Sequence, residues 1–226
     1  MPIFAELEVC KDAAPRSAAI NMAIDEALLE LARIPSIRFY RWKSPALSFG
    51  YFGKLVDVAD YAAERDLVRR WTGGGIVFHG DDLTYSIVIP ASDPIFVESS
   101  MSTYGKIHRA LADALAKTGQ HAQLATPNLA ITDRRYSEGA CFANPVRADV
   151  MVNGRKIAGA AQRRTRAGLL HQGSIQGVDL GNGLAEQFAS ELSERRSEKF
   201  LSRPIVERAS EIAERKYATQ NWLRRR

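Results

Sequence analysis

The 226-residue sequence predicts an α+β fold in which a mixed, mostly antiparallel β-sheet is covered on one side by α-helices. Two observations carry this prediction. Strand-like segments occur in two groups, within residues 37–90 and 147–175, and two charged helical segments follow the second group. A doubly wound parallel sheet would instead alternate strands and helices singly along the chain. The length, the 46% content of hydrophobic residues and the lack of a Pro/Gly/Ser linker predict one domain over residues 1–226.

The first predicted elements are a strand over Phe4–Val9 and an amphipathic helix that begins near Ser17 and ends before Pro35. Apolar residues recur in this helix at spacings of three and four, which places them on one face. Farther along, aromatic and β-branched residues indicate strands, with a short helix over Asp57–Arg65 and a longer one over Met101–Lys117. The strand segments are 37–42, 47–53, 67–71, 75–79 and 83–90.

Tight turns join the strands of the second group. Asn153-Gly154 is typical of a two-residue hairpin turn, because both residue types tolerate positive φ angles. A further turn is predicted around Ala167-Gly168. The strands are predicted over 147–152, 155–164 and 168–175, and the closing helices over 183–193 and 204–217.

Charge and cysteine content limit the classes of function. The chain carries 31 Lys and Arg against 26 Asp and Glu, a net charge of +5, with basic clusters at 163–166 and 224–226. This balance favours an acidic partner. Nucleic acid is disfavoured, because the arginines lack the interleaved aromatic residues of a base-stacking surface. Cys10 and Cys141 are predicted to be free thiols, and no metal site is predicted.

No segment indicates a membrane or secreted protein. No apolar run reaches the roughly 18 residues that would span a bilayer. The N-terminal stretch MPIFAELEVC lacks the basic region, the apolar stretch and the cleavage site of a secretory signal. The sequence therefore predicts a cytoplasmic protein without a membrane partner.

The stretch RRWTGGGIVFHG, residues 69–80, predicts a binding loop. Gly73, Gly74 and Gly75 carry no β-carbon, so the backbone can take positive φ angles and a ligand can approach the amides closely. Arg70 stands three residues earlier, near enough to donate charge-assisted hydrogen bonds to an anion there. The alternative is a glycine-rich turn with solvated arginines, and the pattern is neither a Walker loop nor a dinucleotide fingerprint.

The stretch NGRKIAGAAQRRTRAGLLHQGSI, residues 153–175, is the second candidate site segment. Lys156 opens a strand whose next residues are small and mainly apolar. Such a lysine can direct its ammonium into a cleft with small side chains on its walls. The alternative is a solvent-facing lysine after a hairpin turn.

Together, RRWTGGGIVFHGDDLTYSIVIP and GRKIAGAAQRRTRAGLLHQGSI resemble the two signature segments of the superfamily of lipoate-protein ligase A, octanoyltransferases and biotin ligases. The resemblance extends in order and spacing from Phe4 to Ile175 and includes RFYRWKSPALSFGYFG. It implies the catalytic-domain fold of biotin ligases and class II aminoacyl-tRNA synthetases. It also implies the attachment of a lipoyl or octanoyl group to a carrier lysine. Biotin ligation is disfavoured, because the Gly-Arg-Gly-Arg signature is absent.

The resemblance implies a set of site residues. Lys156 would contact the acyl carbonyl and stabilise the oxyanion as an amine attacks it. Arg70 would meet the phosphate or carboxyl end of the substrate, and the glycine turn would line the pocket. His171 could equally be a satisfied core histidine. The implied substrate-binding residues are Arg70, Thr72, Gly73, Gly74, Gly75, Ile76, Val77, Phe78, His79, Asp149, Gly159, Ala160, His171 and Gly173.

Two branches of the superfamily remain open. ACF, followed by a proline and then by GRKIAGAAQ, resembles the cysteine-dependent octanoyltransferases, which implies that Cys141 forms an acyl-enzyme from a thioester without ATP. The alternative for Cys141 is a buried, inert thiol. Lipoate ligases use ATP and magnesium and carry Arg-Asn-Asp where this chain has Arg147-Ala148-Asp149. They usually also have an accessory C-terminal domain, fused or separate, and none is expected within the 226 residues.

Both branches imply the same acceptor, an acidic lipoyl carrier domain such as the glycine cleavage H protein or the E2 component of a 2-oxoacid dehydrogenase. The donor would be free lipoate or an octanoyl thioester, for example on acyl carrier protein, and no permanently bound cofactor is expected. A further alternative is a non-catalytic module that binds acyl groups or lipoyl domains.

Overall fold

An eight-stranded mixed sheet forms the centre of the molecule in the computed structural model, which describes residues 2–12, 14–126, 146–181 and 183–225. Three strands form a second, smaller sheet. The strands are β1 (Leu7–Lys11), β2 (Ser36–Tyr40), β3 (Ala46–Phe49), β4 (Asp66–Arg69), β5 (Val77–His79), β6 (Leu83–Pro90), β7 (Ala122–Leu124), β8 (Val150–Val152), β9 (Arg155–Arg164), β10 (Gly168–Ile175) and β11 (Arg196–Phe200).

Five α-helices accompany the sheets within the described part of the chain. They are α1 (Ala18–Leu31), α2 (Ser100–Lys117), α3 (Leu184–Leu192), α4 (Arg203–Ile212) and α5 (Gln220–Leu223). Short 3₁₀ turns cover Leu55–Asp57, Ala59–Ala63 and Pro94–Val97, and a π-helical turn over Ala213–Tyr217 extends α4. None of the described helices is long and apolar enough to cross a membrane.

The large sheet has the order β11-β1-β2-β6-β10-β9-β8-β7. Its first two pairings, β11 with β1 and β1 with β2, are parallel, and the other five are antiparallel. The small sheet has the order β4-β3-β5. The predicted α+β class, with a mixed and mostly antiparallel sheet, is confirmed.

The prediction that helices cover only one side of the sheet is wrong. Strand β6 is buried along its whole length, and its alternate residues face two different cores. Tyr85 and Ile87 lie in a cluster with residues of α2 and α3, whereas Val88 lies in a cluster with residues of α1 and α4. The near-continuous apolar character of LTYSIVIP is the sequence signal for burial on both faces.

The hairpin of β8 and β9 confirms the Asn-Gly turn. Asn153 and Gly154 have φ angles of 49° and 75°, and Val152 pairs with Arg155 on either side of them. The bounds of β6, β9 and β10 match the predicted segments residue for residue. The predicted helix over 57–65 is instead a pair of 3₁₀ turns. Strands β7 and β11 and helix α5 were not predicted from the sequence.

Candidate active site

A narrow cleft, partly open to solvent, lies between the small sheet and the middle strands of the large sheet. Both sequence motifs reach the cleft, since its lining includes the glycine turn and the small residues of β9. The lining residues are Met22, Tyr40, Trp42, Ser48, Arg70, Gly74, Val77, His79, Thr84, Gly159, Ala160, Ala161, Gln172, Gly173 and Ser174.

The glycine turn needs its glycines for two separate reasons. Gly74 has a φ of 84°, in the left-handed region that L-residues with a side chain rarely adopt. A β-carbon on Gly74 would also lie 3.3 Å from the β-carbon of Ala161 and 3.3 Å from Nη2 of Arg70. Gly50, at the end of β3, packs directly against the turn: a β-carbon there would lie 2.7 Å from the carbonyl carbon of Gly73.

Arg70 is buried inside the glycine turn and holds its backbone. Nη2 donates to the carbonyl oxygens of Gly73 (3.0 Å) and Gly75 (2.7 Å), and Nη1 donates to Oγ of Ser48 (2.7 Å). The sequence predicted that these donors would face a substrate anion. The structure places Arg70 at the cleft, with at least these three hydrogen bonds directed to the protein.

His79 continues this hydrogen-bonded chain on the other side of Ser48. Its Nε2 lies 2.7 Å from Oγ of Ser48, and its Nδ1 lies 2.8 Å from Oδ2 of Asp82. The ring stacks on Trp42 with centroids 4.1 Å apart. Burial lowers the pKa of His79, although the Asp82 carboxylate opposes this shift. A neutral ring with its proton on Nδ1 then accepts from the Ser48 hydroxyl, so Asp82, His79, Ser48 and Arg70 form one buried relay.

Lys156 lies directly behind Gly159, which lines the cleft. Its side chain is only 2% exposed, and Nζ forms an ion pair of 2.8 Å with Oδ2 of Asp149. Oδ2 also accepts from the amide of Val146 (2.7 Å), and Oδ1 accepts from the Tyr104 hydroxyl. A β-carbon on Gly159 would lie 2.5 Å from Cε and 2.7 Å from Nζ of Lys156. The glycine therefore leaves room for the ammonium between Asp149 and the cleft.

Tyr104 links this ion pair to the strand that lines the cleft. Its hydroxyl accepts a hydrogen bond from the amide of Ala160 (3.1 Å) while it donates to Asp149. Burial, followed by the Asp149 charge, raises the pKa of Tyr104, so the hydroxyl keeps its proton. Ala148 has a φ of 68°, a region that Asn adopts more readily than Ala. Ala148, which was compared above with the Asn of the ligase Arg-Asn-Asp stretch, is therefore conformationally strained.

His171, predicted as a site residue, does not line the cleft. It is fully buried in a chain of hydrogen bonds on the α2 side of the sheet. Nε2 of Gln162 donates to Nδ1 of His171 (3.0 Å), which leaves the proton on Nε2 to donate to the Tyr85 hydroxyl (3.3 Å). Tyr85 in turn donates to Nε2 of His108 (3.3 Å), and Nδ1 of His108 donates to the carbonyl of Ala148 (2.7 Å). This chain ends at the residue before Asp149.

Acidification is expected to destabilise the protein through these buried histidines. Burial lowers the pKa of His108 to about 4 and that of His171 well below its ordinary value. The unfolded chain, with histidine pKa values near 6.5, therefore binds more protons below that pH, and stability decreases as the pH falls from about 6.5. Between pH 7.5 and 5, His108 alone contributes a loss of about 2 kcal/mol. The free energy of unfolding in urea, measured at both pH values, checks this.

His108→Gln should reduce the difference in unfolding free energy between pH 7.5 and pH 5, because glutamine does not titrate. His121→Gln, which replaces an exposed histidine, is the matched control. An unfolding free energy that is unchanged or larger at pH 5 than at pH 7.5 would contradict the prediction.

The other predicted residues fall into three groups. Val77, Ala160 and Gly173 line the cleft with those described above, and a side chain on Gly173 would overlap the ring of Tyr85. Ile76 and Phe78 do not line it, because they pack in the small cluster around Leu47 and Phe49. Cys141 lies in 127–145, outside the described residues.

Thr72 is buried behind the cleft and fixes a cleft-lining side chain. Its hydroxyl donates to Oε1 of Gln172 (2.7 Å), and Nε2 of Gln172 donates to Oδ2 of Asp25 (2.7 Å). Asp25 also accepts from the buried Arg38 (2.9 Å). Thr72 therefore orients Gln172 but does not itself line the cleft.

Sequence reasoning missed the partners that hold the site residues in place. Ser48, Asp82 and Tyr104 come from other segments of the chain, and only the contacts of the folded protein reveal their roles. Arg69 was also missed. Its guanidinium donates to five backbone carbonyls, those of Tyr51, Gly53, Trp222, Leu223 and Arg225. No group of three or more His, Cys, Asp or Glu residues among those described could hold a metal ion.

Comparisons with known proteins identify the family of this chain. Residues 17–207 match the family described as "Lipoyl protein ligase A/B catalytic domain". The octanoyltransferase LipM of Oceanobacillus iheyensis is 36% identical over 200 residues, which cover 84% of this chain and 72% of that protein.

Two solved structures show the same fold. Lipoate-protein ligase A bound with ATP superimposes with a TM-score of 0.72 at 21% identity, over 99% of this chain and 98% of that one. A bi-partite lipoate protein ligase from Thermoplasma acidophilum, described with its E2 lipoyl domain, gives a TM-score of 0.71 at 20% identity, over 97% and 96% of the two chains. The chain is therefore an enzyme that belongs to the lipoyl protein ligase A/B catalytic domain family.

Proposed function

We propose that this enzyme transfers a lipoyl or octanoyl group to a specific lysine of an acidic lipoyl carrier domain. The observation that carries the proposal is the convergence of the glycine turn and the Lys156 strand on one cleft. The relative named octanoyltransferase supports an acyl transfer reaction for this chain. Residues 1–226 would act as one catalytic domain, and the cytoplasmic location stays a prediction.

In the proposed reaction the acyl chain lies in the cleft, with its carbonyl near Gly159 and Lys156. The Lys156 ammonium is buried and oriented by Asp149, so it is preorganised to stabilise the negative charge that develops on the carbonyl oxygen. The backbone of the glycine turn, held by Arg70, would form the opposite wall.

We further propose that Cys141 carries the acyl group between donor and acceptor. Its thiolate attacks the carbonyl carbon of the donor thioester, the carbon–sulfur bond of the donor breaks, and the donor thiol leaves with a proton. The amine of the carrier lysine then attacks the Cys141 thioester. An amide bond forms, the bond to Cys141 breaks, and the thiol is restored. No ATP is consumed along this route.

Mass spectrometry of the intact protein tests both steps. Incubation with an octanoyl thioester should add one octanoyl group to the wild-type enzyme and none to Cys141→Ser, whereas Cys10→Ser, which changes a buried thiol of β1, should still be acylated. Addition of an apo lipoyl domain should then move the octanoyl group to that domain.

Three other outcomes would change the assignment. Acylation of the lipoyl domain only in the presence of lipoate or octanoate with ATP and magnesium would identify the protein as a ligase. Full activity of Cys141→Ser would eliminate the acyl-enzyme, and no mass gain of the lipoyl domain under any condition would contradict acyl transfer.

A further inference from the structure

A cluster of aromatic and basic side chains lies beside the cleft and has no part in the site described above. The Tyr51 ring is at its centre. The ring of Phe52, which is 84% exposed, lies with its centroid 5.0 Å from that of Tyr51. The guanidinium carbons of Arg163 and Arg225 lie 5.0 and 4.8 Å from the Tyr51 centroid. We refer to Tyr51, Phe52, Arg163 and Arg225 as the Tyr51 rim.

The rim is continuous with the cleft through β9. Side chains two residues apart in a strand point to the same face, so Gly159, Ala161 and Arg163 share one face of β9. The first two line the cleft, and the third contacts Tyr51. The glycine-turn segment provides a second connection, since the amide of Tyr51 donates to the carbonyl of Thr72 (2.8 Å). A molecule bound at the rim is therefore within reach of the cleft.

Arg163 carries a charge that the described residues do not neutralise. Its guanidinium lies between the rings of Tyr51 and Trp71, at 5.0 and 5.3 Å. Among the described residues, its buried Nε has no hydrogen-bond partner, and no carboxylate lies within 4.0 Å of the guanidinium. The guanidinium therefore keeps its charge for an incoming carboxylate, which would gain a charge-assisted hydrogen bond with it.

Phe52 supplies the apolar part of the same surface. An exposed phenylalanine next to arginines matches the composition of protein–protein hot spots, where aromatic residues and Arg are enriched. Lys54, exposed and two residues after Phe52, adds a further positive charge. The rim therefore combines an apolar anchor with side chains that attract carboxylates.

We propose that the Tyr51 rim is the docking surface for the acidic acceptor domain whose lysine enters the cleft. The inference rests on the proposed function, because it assigns the place where that reaction's acceptor binds. Carboxylates of the acceptor pair with Arg163 and Arg225, and an apolar patch of its surface covers Phe52. The basic side chains speed the encounter, and Phe52 slows dissociation.

Steady-state kinetics with octanoyl coenzyme A as donor and an apo lipoyl domain as acceptor test the inference. Phe52→Ser should raise the KM for the lipoyl domain about tenfold or more, as expected for an interface anchor. Arg163→Gln should raise it several-fold and weaken its dependence on ionic strength. In both variants the KM for octanoyl coenzyme A and the rate of enzyme acylation should stay at wild-type values.

Phe200→Ser is the matched control, because Phe200 is 79% exposed on the edge strand β11, outside the rim. Arg203→Gln is the matched control for Arg163→Gln, because the Arg203 side chain on α4 is 88% exposed and Arg203 is not part of the rim. Neither control should change any of these constants.

Two results would overturn the assignment. An unchanged KM for the lipoyl domain in Phe52→Ser and Arg163→Gln would remove the rim from acceptor binding. A rise confined to the KM for octanoyl coenzyme A would instead assign the rim to the phosphates of the donor.

If the wild-type protein transfers no acyl group, the proposed function fails and the rim is tested by direct titration of the apo lipoyl domain. Binding that is weakened by Phe52→Ser but not by Phe200→Ser would still support the docking surface. Equal binding by both variants would contradict it.

Discussion

Replacement of Lys156 by methionine is expected to reduce kcat/KM for acyl transfer by about 10²–10³, the usual effect of removing a preorganised oxyanion donor. The ammonium is the buried cation next to Gly159 and would lie closest to the acyl carbonyl in the proposed reaction. Transfer of octanoate to an apo lipoyl domain, followed by mass spectrometry, measures the loss.

The same change has a structural cost that must be separated from the catalytic one. Without Lys156 the Asp149 carboxylate stays buried, and loss of one partner of a buried ion pair typically costs about 3–5 kcal/mol. The double variant Asp149→Asn, Lys156→Met removes both charges and should recover most of the unfolding free energy. Its activity should remain low. Recovery of activity in the double variant would show that Lys156 only balances the Asp149 charge.

Gly50→Ala is expected to combine a loss of stability with a large loss of activity. The new methyl group would lie 2.7 Å from both the carbonyl carbon and the carbonyl oxygen of Gly73, and closer still to the carbonyl oxygen of Gly74. These are backbone atoms, so the glycine turn itself must move. We expect a loss of about 1–3 kcal/mol of unfolding free energy from overpacking. Because a displacement of about 1 Å in a site can cost 10²-fold in rate, kcat/KM should fall by about that factor.

Gly80→Ala is the matched control for this prediction. A β-carbon on Gly80 would have no heavy atom within 4 Å, and the backbone amide of residue 80, which donates to Oδ1 of Asp82, is kept in alanine. Thermal unfolding and the acyl transfer assay should therefore give wild-type values for Gly80→Ala. Wild-type activity in Gly50→Ala would show that the position of the glycine turn does not limit the reaction.

Local sequence signals predicted the strands that line the cleft. The Asn153-Gly154 turn and the apolar run of β6 determine their own local structure, so the bounds of β6, β9 and β10 could be read directly. Strand β11, RSEKF, has no such signal. All five of its residues are exposed, and it is a strand only because it pairs in parallel with β1, nearly 190 residues earlier in the chain.

The candidate site was predictable only in part for the same reason. The triple glycine and Lys156 stand out in the sequence: Gly74 lines the cleft, and Lys156 lies directly behind Gly159 of its lining. Their partners do not stand out: Ser48 is an ordinary strand residue, and Tyr104 is one of several polar residues in α2. Ile76 and Phe78 were predicted as binding residues together with Val77, although neighbours in a strand face opposite sides. The pairing of β3 with β5 decides which of them reaches the cleft.

The relay that surrounds His79 has a consequence for the kind of acyl chain that the proposed reaction would use. Oδ2 of Asp82 accepts hydrogen bonds from His79, Thr84 and Ser174, three residues of the cleft lining, while Ser48 bonds to His79. These polar groups form hydrogen bonds with one another, so the wall that they present to the cleft is effectively apolar. A hydroxylated fatty acid would lose its water there without finding new partners, at a cost of about 1–3 kcal/mol. If the proposed function holds, we therefore expect the cleft to favour unsubstituted hydrocarbon tails over hydroxylated ones.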